Sequence, residues 1–149
     1  MSIRSYYQTH MDVIAKSIPS DYNPTIDEFV DLLLNCKGKI FFTGVGKNGH
    51  VAAKATSTFS SIGVSCFFID PVDSVHGDMG VINEDDILVA VSKSGNTEEL
   101  IHFLKHVKYK NCKIVSIHSN PKNKSLKYSS LDIDLHVRKE ADHLNIVPT

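Results

Sequence analysis

The sequence of 149 residues contains no tryptophan, only three cysteines and no excess of charge of either sign. The cysteines, Cys36, Cys66 and Cys112, are far apart and form no Cys-x-x-Cys pair. This sparse, odd number favours free thiols in a reducing compartment over a disulfide framework. Sixteen basic and seventeen acidic residues leave a formal net charge of -1, so the composition predicts neither nucleic acid nor an anionic membrane as a partner.

Long apolar runs are also missing. Residues 1–8 lack the apolar core of a signal peptide, and no run approaches the roughly eighteen residues that a membrane span needs. The composition, 42% hydrophobic and 22% charged, is that of a globular protein. Because domains most often hold about 100–150 residues, we expect a cytoplasmic protein with a single domain over residues 1–149.

Hydrophobic periodicity divides the chain into two parts. Residues 1–36 have helical spacing, which predicts a helix over about 3–17 and a second from an N-cap at Thr25 to about Cys36. Residues 37–149 have short apolar runs separated by helical stretches, as expected of a sheet core. The predicted strands cover residues 39–43, 64–69, 87–92, 113–118 and 133–137, with helices over about 47–61 and 97–108.

Continuous apolar strands that alternate with helices indicate an α/β fold, a doubly wound parallel sheet of about five strands with helices on both faces. In such a sheet, ligands bind beyond the carboxyl ends of the strands. The polar stretch over residues 119–130 is predicted to be a surface loop or a short irregular helix.

The first loop at that end is Gly-Val-Gly-Lys-Asn-Gly, residues 44–49, which matches Gly-x-Gly-x-x-Gly. Glycines let the backbone approach an anion, so Gly44, Gly46 and Asn48 are candidate ligand-binding residues. With Asp70 after the second strand, the loop also fits a dinucleotide-binding enzyme. Lys47 argues against that alternative, because backbone alone normally holds a dinucleotide's pyrophosphate at this point.

The second loop is Ser-Lys-Ser-Gly-Asn-Thr-Glu-Glu, residues 92–99, after the third strand. The hydroxyls of Ser92, Ser94 and Thr97 would converge there with backbone N–H groups at a helix start, which suits a small phosphate monoester. Asn96 lies in the same loop and is a further candidate. The alternative is a plain helix N-cap, since Thr97 before two glutamates suits capping.

A third segment, His-Gly-Asp-Met-Gly over residues 76–80, follows the second strand on the predicted ligand side, where an exposed turn is the alternative. In their order and spacing, these three segments and Lys-Glu-Ala-Asp over residues 139–142 resemble the SIS (sugar isomerase) domain. Within it, the lysine-containing glycine loop and His-Gly-Asp-Met-Gly resemble the arabinose-5-phosphate isomerase family. The resemblance spans roughly residues 37–149.

The resemblance implies an aldose–ketose isomerase that interconverts ribulose 5-phosphate and arabinose 5-phosphate through an enediol, for lipopolysaccharide or capsule biosynthesis. It implies Lys47, Glu99 and Glu140 as catalytic residues and His76 as a substrate-side residue. One glutamate would move the proton between carbons, and the Lys47 ammonium would stabilise the oxyanion or anchor the sugar. Which glutamate is the base stays open.

The chain also departs from the family. Asp70 stands where members often have a metal-binding histidine, so Asp70 is a metal-ligand candidate, although the reaction requires no cofactor. The sequence ends before the family's next helix and a further catalytic histidine, and lacks the C-terminal CBS domains. We therefore keep a non-catalytic phosphosugar-binding regulatory module as an alternative. We expect a homodimer or homotetramer with the site, including Glu140, near a subunit boundary.

Overall fold

The secondary structure alternates strands and helices from residue 40 onward, as the apolar pattern predicts. The computed structural model describes residues 2–17, 24–138, 140 and 144. The helices are α1 (Ile3–Ser17), α2 (Pro24–Leu34), α3 (Lys47–Ser61), α4 (Pro71–Ser74) and α5 (Glu98–Lys108). The strands are β1 (Ile40–Thr43), β2 (Cys66–Phe68), β3 (Ile87–Val91), β4 (Lys113–His118) and β5 (Leu131–Asp134). Within the described residues, no helix has the length and apolar character to cross a membrane.

The five strands form one all-parallel sheet in the order β2-β1-β3-β4-β5. From β1 the chain builds first toward one edge, to β2, and then toward the other, through β3 to β5. The order therefore reverses between β1 and β3, and a crevice opens there beyond the carboxyl ends of the strands. The predicted doubly wound sheet of about five strands is confirmed.

Helices cover both faces of this sheet, which explains why its strands read as continuous apolar runs. Successive residues of a strand point to opposite faces, so Phe41 belongs to one core and Phe42 to the other. The first core includes Phe41, Leu88 and Ile114 of the sheet with Leu100, Phe103, Leu104 and Val107 of α5. The second includes Phe42, Val89 and Val115 with Ala52 of α3 and, from α2, Phe29, Leu32 and Leu33.

The fifth strand is displaced from its predicted place, residues 133–137. It begins at Leu131, opposite Val115, and ends at Asp134, opposite His118. The Asp134 carboxylate accepts a hydrogen bond from the His136 backbone N–H at 2.8 Å, and His136 has a φ of 56°, which turns the chain out of the strand. The apolar residues after position 134 misled the prediction, because they face a cleft rather than the sheet.

Two other elements, the second helix and the second strand, differ from the prediction at their ends. The second helix begins at Pro24 rather than after an N-cap at Thr25, because the fixed φ of proline suits the first helical position. That helix ends at Leu34, before Cys36. The second strand is shorter than the predicted residues 64–69 and spans Cys66–Phe68.

Candidate functional site

Glycines hold the start of α3 directly against the end of β1. A Cβ added at Gly44 would lie 2.8 Å from the Asn48 carbonyl carbon and 2.9 Å from the Val91 carbonyl oxygen, and one at Gly49 would lie 2.8 Å from the Gly44 carbonyl oxygen. Gly46 has a φ of 60°, a conformation that side chains disfavour. This packing places Lys47, the first residue of α3, at the carboxyl edge of the sheet.

The helices that follow β1 and β3 both begin without a side-chain cap. Gly46 occupies the N-cap position of α3, and Thr97 that of α5; among the described residues, neither helix has a side-chain capping hydrogen bond. Thr97 therefore occupies the N-cap position, as expected if the segment is a plain helix N-cap, but its hydroxyl makes no capping hydrogen bond. The first-turn N–H groups of α3 and α5 and their positive dipole ends meet at the crevice, which favours an anion.

The loop over residues 92–97 is compact and internally bonded. The Ser92 hydroxyl, 4% exposed as a residue, accepts from the Gly95 backbone N–H at 3.1 Å and lies 3.4 Å from the Thr97 hydroxyl. The Ser94 hydroxyl accepts from the Asn96 N–H at 3.2 Å. The three hydroxyls predicted to bind phosphate therefore surround one turn at the start of α5.

A second segment, residues 119–125, packs on this loop from outside; we call it the bracing segment. Its Asn120 side chain donates to the Ser94 carbonyl at 3.0 Å, and its Ser125 N–H donates to the Gly95 carbonyl at 3.1 Å. Its Lys124 N–H donates to the Asn96 side-chain oxygen at 2.9 Å, so Asn96 supports the loop. The sequence predicts a short irregular helix here, and a 3-10 turn does occur over Ser125–Lys127.

A cleft of about 160 Å³ opens beside this loop at the carboxyl ends of β3 and β4. It brings together Lys47 and Asn48, which follow β1, and Glu140, which follows β5. Glu140 is only 7% exposed, so a carboxylate is largely buried in the cleft wall. The cleft is lined by Lys47, Asn48, Val51, Val91, Lys93, Ile117, His118, Ser119, Leu135, Val137 and Glu140.

Sequence reasoning missed two ionisable residues of this cleft, Lys93 and His118. The ammonium of Lys93 forms an ion pair with the Glu140 carboxylate. The sequence feature that could have identified Lys93 is its position between Ser92 and Ser94 in the predicted anion-binding loop. His118 ends β4 and is 2% exposed. Its Nδ1 accepts from the Asn120 N–H at 3.3 Å, and its Nε2 lies 3.4 Å from Asp132 Oδ2.

Arg138 fixes the chain that leads to Glu140. Its guanidinium donates to both carboxylate oxygens of Asp134, at 2.9 and 2.5 Å, and to the Ser119 carbonyl. Burial of Asp134 would raise the pKa of its carboxyl group, but the hydrogen bonds from Arg138 and His136 outweigh burial and lower that pKa. This bidentate pair ties the segment before Glu140 to the end of β5.

Three predicted site residues, Glu99, His76 and Asp70, lie outside both the lining of this cleft and the two loops, residues 44–49 and 92–97. Glu99 is exposed and lines a separate cavity of about 420 Å³ with Val72, Val75 and His102. His76 is exposed, and its backbone N–H donates to the Asp73 carbonyl. The described part of a single chain thus groups Lys47 with Glu140 rather than with Glu99.

Asp70, the third, serves as a helix cap. Its carboxylate accepts from the backbone N–H groups of Val72 and Asp73, at 2.7 and 3.4 Å. Among the residues that the structure describes, no group of three or more histidine, cysteine, aspartate or glutamate side chains is placed to hold a metal ion. The capping role of Asp70 argues against it both as a metal ligand and as the ribose-binding acid of a dinucleotide enzyme.

Comparison with solved structures identifies close relatives of this fold. A chain from E. coli CFT073, c3406, solved in complex with arabinose 5-phosphate, superposes with a TM-score of 0.92 at 28% identity, covering 99% of this chain and 78% of that one. A candidate sugar-phosphate isomerase from Listeria monocytogenes superposes with a TM-score of 0.90 at 30% identity, covering 97% of this chain and 76% of that one.

The comparison with curated sequences agrees with the comparison of structures. Arabinose 5-phosphate isomerase KdsD of Francisella tularensis is 41% identical over 113 residues, which cover 76% of this chain and 35% of that protein. The chain spans little more than a third of the length of the curated relatives it matches. The SIS domain family matches residues 33–149. The resemblance seen in the sequence is therefore confirmed: this chain belongs to the SIS domain family.

Proposed function

We propose that this chain is a phosphosugar aldose–ketose isomerase that interconverts ribulose 5-phosphate and arabinose 5-phosphate. The observation that carries the proposal is the cleft that holds Lys47, Asn48 and Glu140 beside the loop over residues 92–97. That loop and the uncapped start of α5 suit the phosphate, and the cleft suits the sugar carbons. The names of the curated relatives and the arabinose 5-phosphate complex of the E. coli chain support the same substrate class.

Glu140 is proposed as the base. Its carboxylate would remove a proton from C1 of the ketose, and the C2 carbonyl oxygen would gain a proton to form an enediol. Loss of the O1 proton and return of the first proton to C2 would then give the aldose. Proton transfer by a positioned carboxylate contributes about 10²–10⁴-fold. The Lys47 ammonium, at the positive end of α3, would stabilise the oxygen as negative charge develops on it.

Deuterium exchange tests the reaction directly. Ribulose 5-phosphate is incubated with the protein in D₂O, and NMR follows deuterium at C1 of the ketose and C2 of the aldose. Exchange with conversion establishes the isomerase. Saturable binding without exchange would contradict it and favour the regulatory phosphosugar-binding module instead.

The two candidate glutamates form a matched pair for this assay. Glu140→Gln keeps the shape of the side chain but removes its basicity, so exchange should vanish while sugar-phosphate binding persists. Loss of exchange in Glu99→Gln, with retention in Glu140→Gln, would reverse the assignment. Normal exchange in both variants would refute an enediol mechanism that uses either group.

We also propose that the chain forms a homodimer or homotetramer. One face of α1 exposes Ile3, Tyr7 and Met11, which are 80%, 67% and 58% exposed. An apolar stripe of this kind marks an interaction surface. Light scattering measures the assembly, and an activity assay over a dilution series measures its link to catalysis. A monomer whose activity does not depend on concentration would contradict the proposal.

A further inference from the structure

The loop over residues 92–97 and the buried glutamate of the cleft are joined by one side chain. Lys93 lies between Ser92 and Ser94, and its ammonium reaches across the cleft to the Glu140 carboxylate. The Lys93 side chain is 40% exposed, whereas that of Glu140 is 7% exposed. The backbone of Lys93 is fixed as well, because its carbonyl accepts from the Ser119 N–H at 3.0 Å.

A carboxylate as buried as Glu140 needs a nearby positive charge to stay ionised. Burial alone disfavours the charged form of a carboxyl group and raises its pKa, whereas an adjacent ammonium lowers it. A general base must be ionised at the working pH, so the charges next to Glu140 affect whether this glutamate can accept a proton.

Among the described residues that line the cleft, the other charged and titratable groups come from three places in the chain. Lys47 begins α3, His118 ends β4, and Lys93 follows β3. Arg138, close to Glu140 along the chain, donates instead to Asp134 and the Ser119 carbonyl. Among the residues that the structure describes, Lys93 places its ammonium in direct contact with the Glu140 carboxylate.

We propose that Lys93 is a positioning residue of this site: its ammonium holds the Glu140 carboxylate ionised and directed at the cleft that Lys47 and Asn48 line. The catalytic part of this inference rests on the proposed isomerase function, because it takes Glu140 as the base. The electrostatic part concerns the protein alone and can be measured without substrate.

The first experiment titrates Glu140 by NMR. The carboxyl carbons of glutamate are labelled with ¹³C, and the Glu140 signal is identified from its absence in Glu140→Gln. Lys93→Met removes the charge and keeps most of the length, so the Glu140 midpoint should rise by about one pH unit or more. Lys93→Arg should restore a midpoint near that of the wild type, and Lys108→Met, a control on the exposed side of α5, should not change it.

An unchanged Glu140 midpoint in folded Lys93→Met would overturn the proposal. Circular dichroism and thermal melting establish that each variant is folded, and Lys93→Gln replaces Lys93→Met should the latter not fold. A merely structural role for Lys93 would lower the melting temperature of the variant without shifting this titration.

The second experiment follows the pH profile of kcat/KM. In Lys93→Met the acidic limb should move to higher pH in step with the NMR midpoint, and Lys93→Arg should move it back. A wild-type protein without isomerase activity would refute the proposed function and leave the NMR titration to decide the role of Lys93. An active Lys93→Met variant with the wild-type acidic limb would refute the role of Lys93 and leave the proposed function standing.

Discussion

Replacing Gly44 with alanine should push the start of α3 away from the sheet and disturb the site that it carries. The added Cβ would lie 2.8 Å from the Asn48 carbonyl carbon and 2.9 Å from the carbonyl oxygens of Asn48 and Val91. All three atoms belong to the backbone, so no side chain can rotate away. Because ordinary contact begins at 3.4 Å, the first turn of α3 would have to move by roughly half an ångström.

Overpacking of this kind costs about 1–3 kcal/mol of unfolding free energy. For a chain of this length that corresponds to a fall in melting temperature of roughly 3–10 °C. The same movement displaces Lys47 and Asn48 from the cleft. Since a misplacement of 1 Å can cost about 10²-fold in rate, we expect kcat/KM to fall by about tenfold in Gly44→Ala.

Gly63→Ala is the matched control. Gly63 has a φ of 86° and follows the other end of α3, and a Cβ there would meet no atom within 4 Å. An alanine in that left-handed conformation costs about 1–2 kcal/mol without moving the helix. Urea denaturation and kinetics on both variants separate the two effects. A Gly44→Ala protein whose stability, affinity and rate match those of the wild type would refute the packing argument. Equal losses of kcat/KM in both variants would show that the loss comes from reduced stability alone.

Three further predictions concern single side chains. Lys47→Ala should lower kcat by about 10²-fold or more with a melting temperature near that of the wild type, because an exposed lysine contributes little stability; near-normal kcat would reduce Lys47 to a solvated residue. Ser94→Ala should weaken melting-point protection by arabinose 5-phosphate far more than it lowers the melting temperature of the ligand-free protein, and equal protection would contradict the phosphate role of the loop. Burial and the nearby Asp86 raise the pKa of the Cys112 thiol from 9.0 to about 12. Above pH 9 the unfolded chain loses this proton while the folded chain keeps it, so the unfolding free energy should fall by about 1.4 kcal/mol per pH unit up to about pH 12. Denaturant titrations in which Cys112→Ala has the same pH slope as the wild type would contradict that assignment.

The fold was predictable because its central strands, β1, β3 and β4, are mostly buried on both faces. A run such as Ile-Leu-Val-Ala-Val, residues 87–91, has no polar alternation, which is the pattern of a short strand covered on two sides. The polar loops that follow β1 and β3 then predict the position of the crevice, because parallel strands all end at the same edge of the sheet. The bounds of β5 were predicted wrongly because this strand lies at the edge of the sheet and its sequence, Leu-Asp-Ile-Asp, alternates apolar and acidic residues.

The site was predictable only in its local parts. The loops around Lys47 and Ser94 have their own glycine and serine patterns, whereas the ion pair of Lys93 with Glu140 joins residues far apart in sequence. No local pattern encodes such a pair; it exists because the chain after β5 turns back across the sheet edge. For the same reason, sequence reasoning could not separate Glu99 from Glu140, which lie in different cavities.

The bracing segment has a thermodynamic consequence for ligand affinity. Asn123 holds that segment together, since its side-chain oxygen accepts from the Ser125 N–H at 2.9 Å and its amide donates to the Asn120 carbonyl at 2.5 Å. The loop it supports is therefore ordered before any phosphate arrives. Fixing the backbone of one residue costs about 1–2 kcal/mol of conformational entropy. Here that entropy is lost when the chain folds, so a sugar phosphate bound as proposed would keep more of the contact energy as affinity.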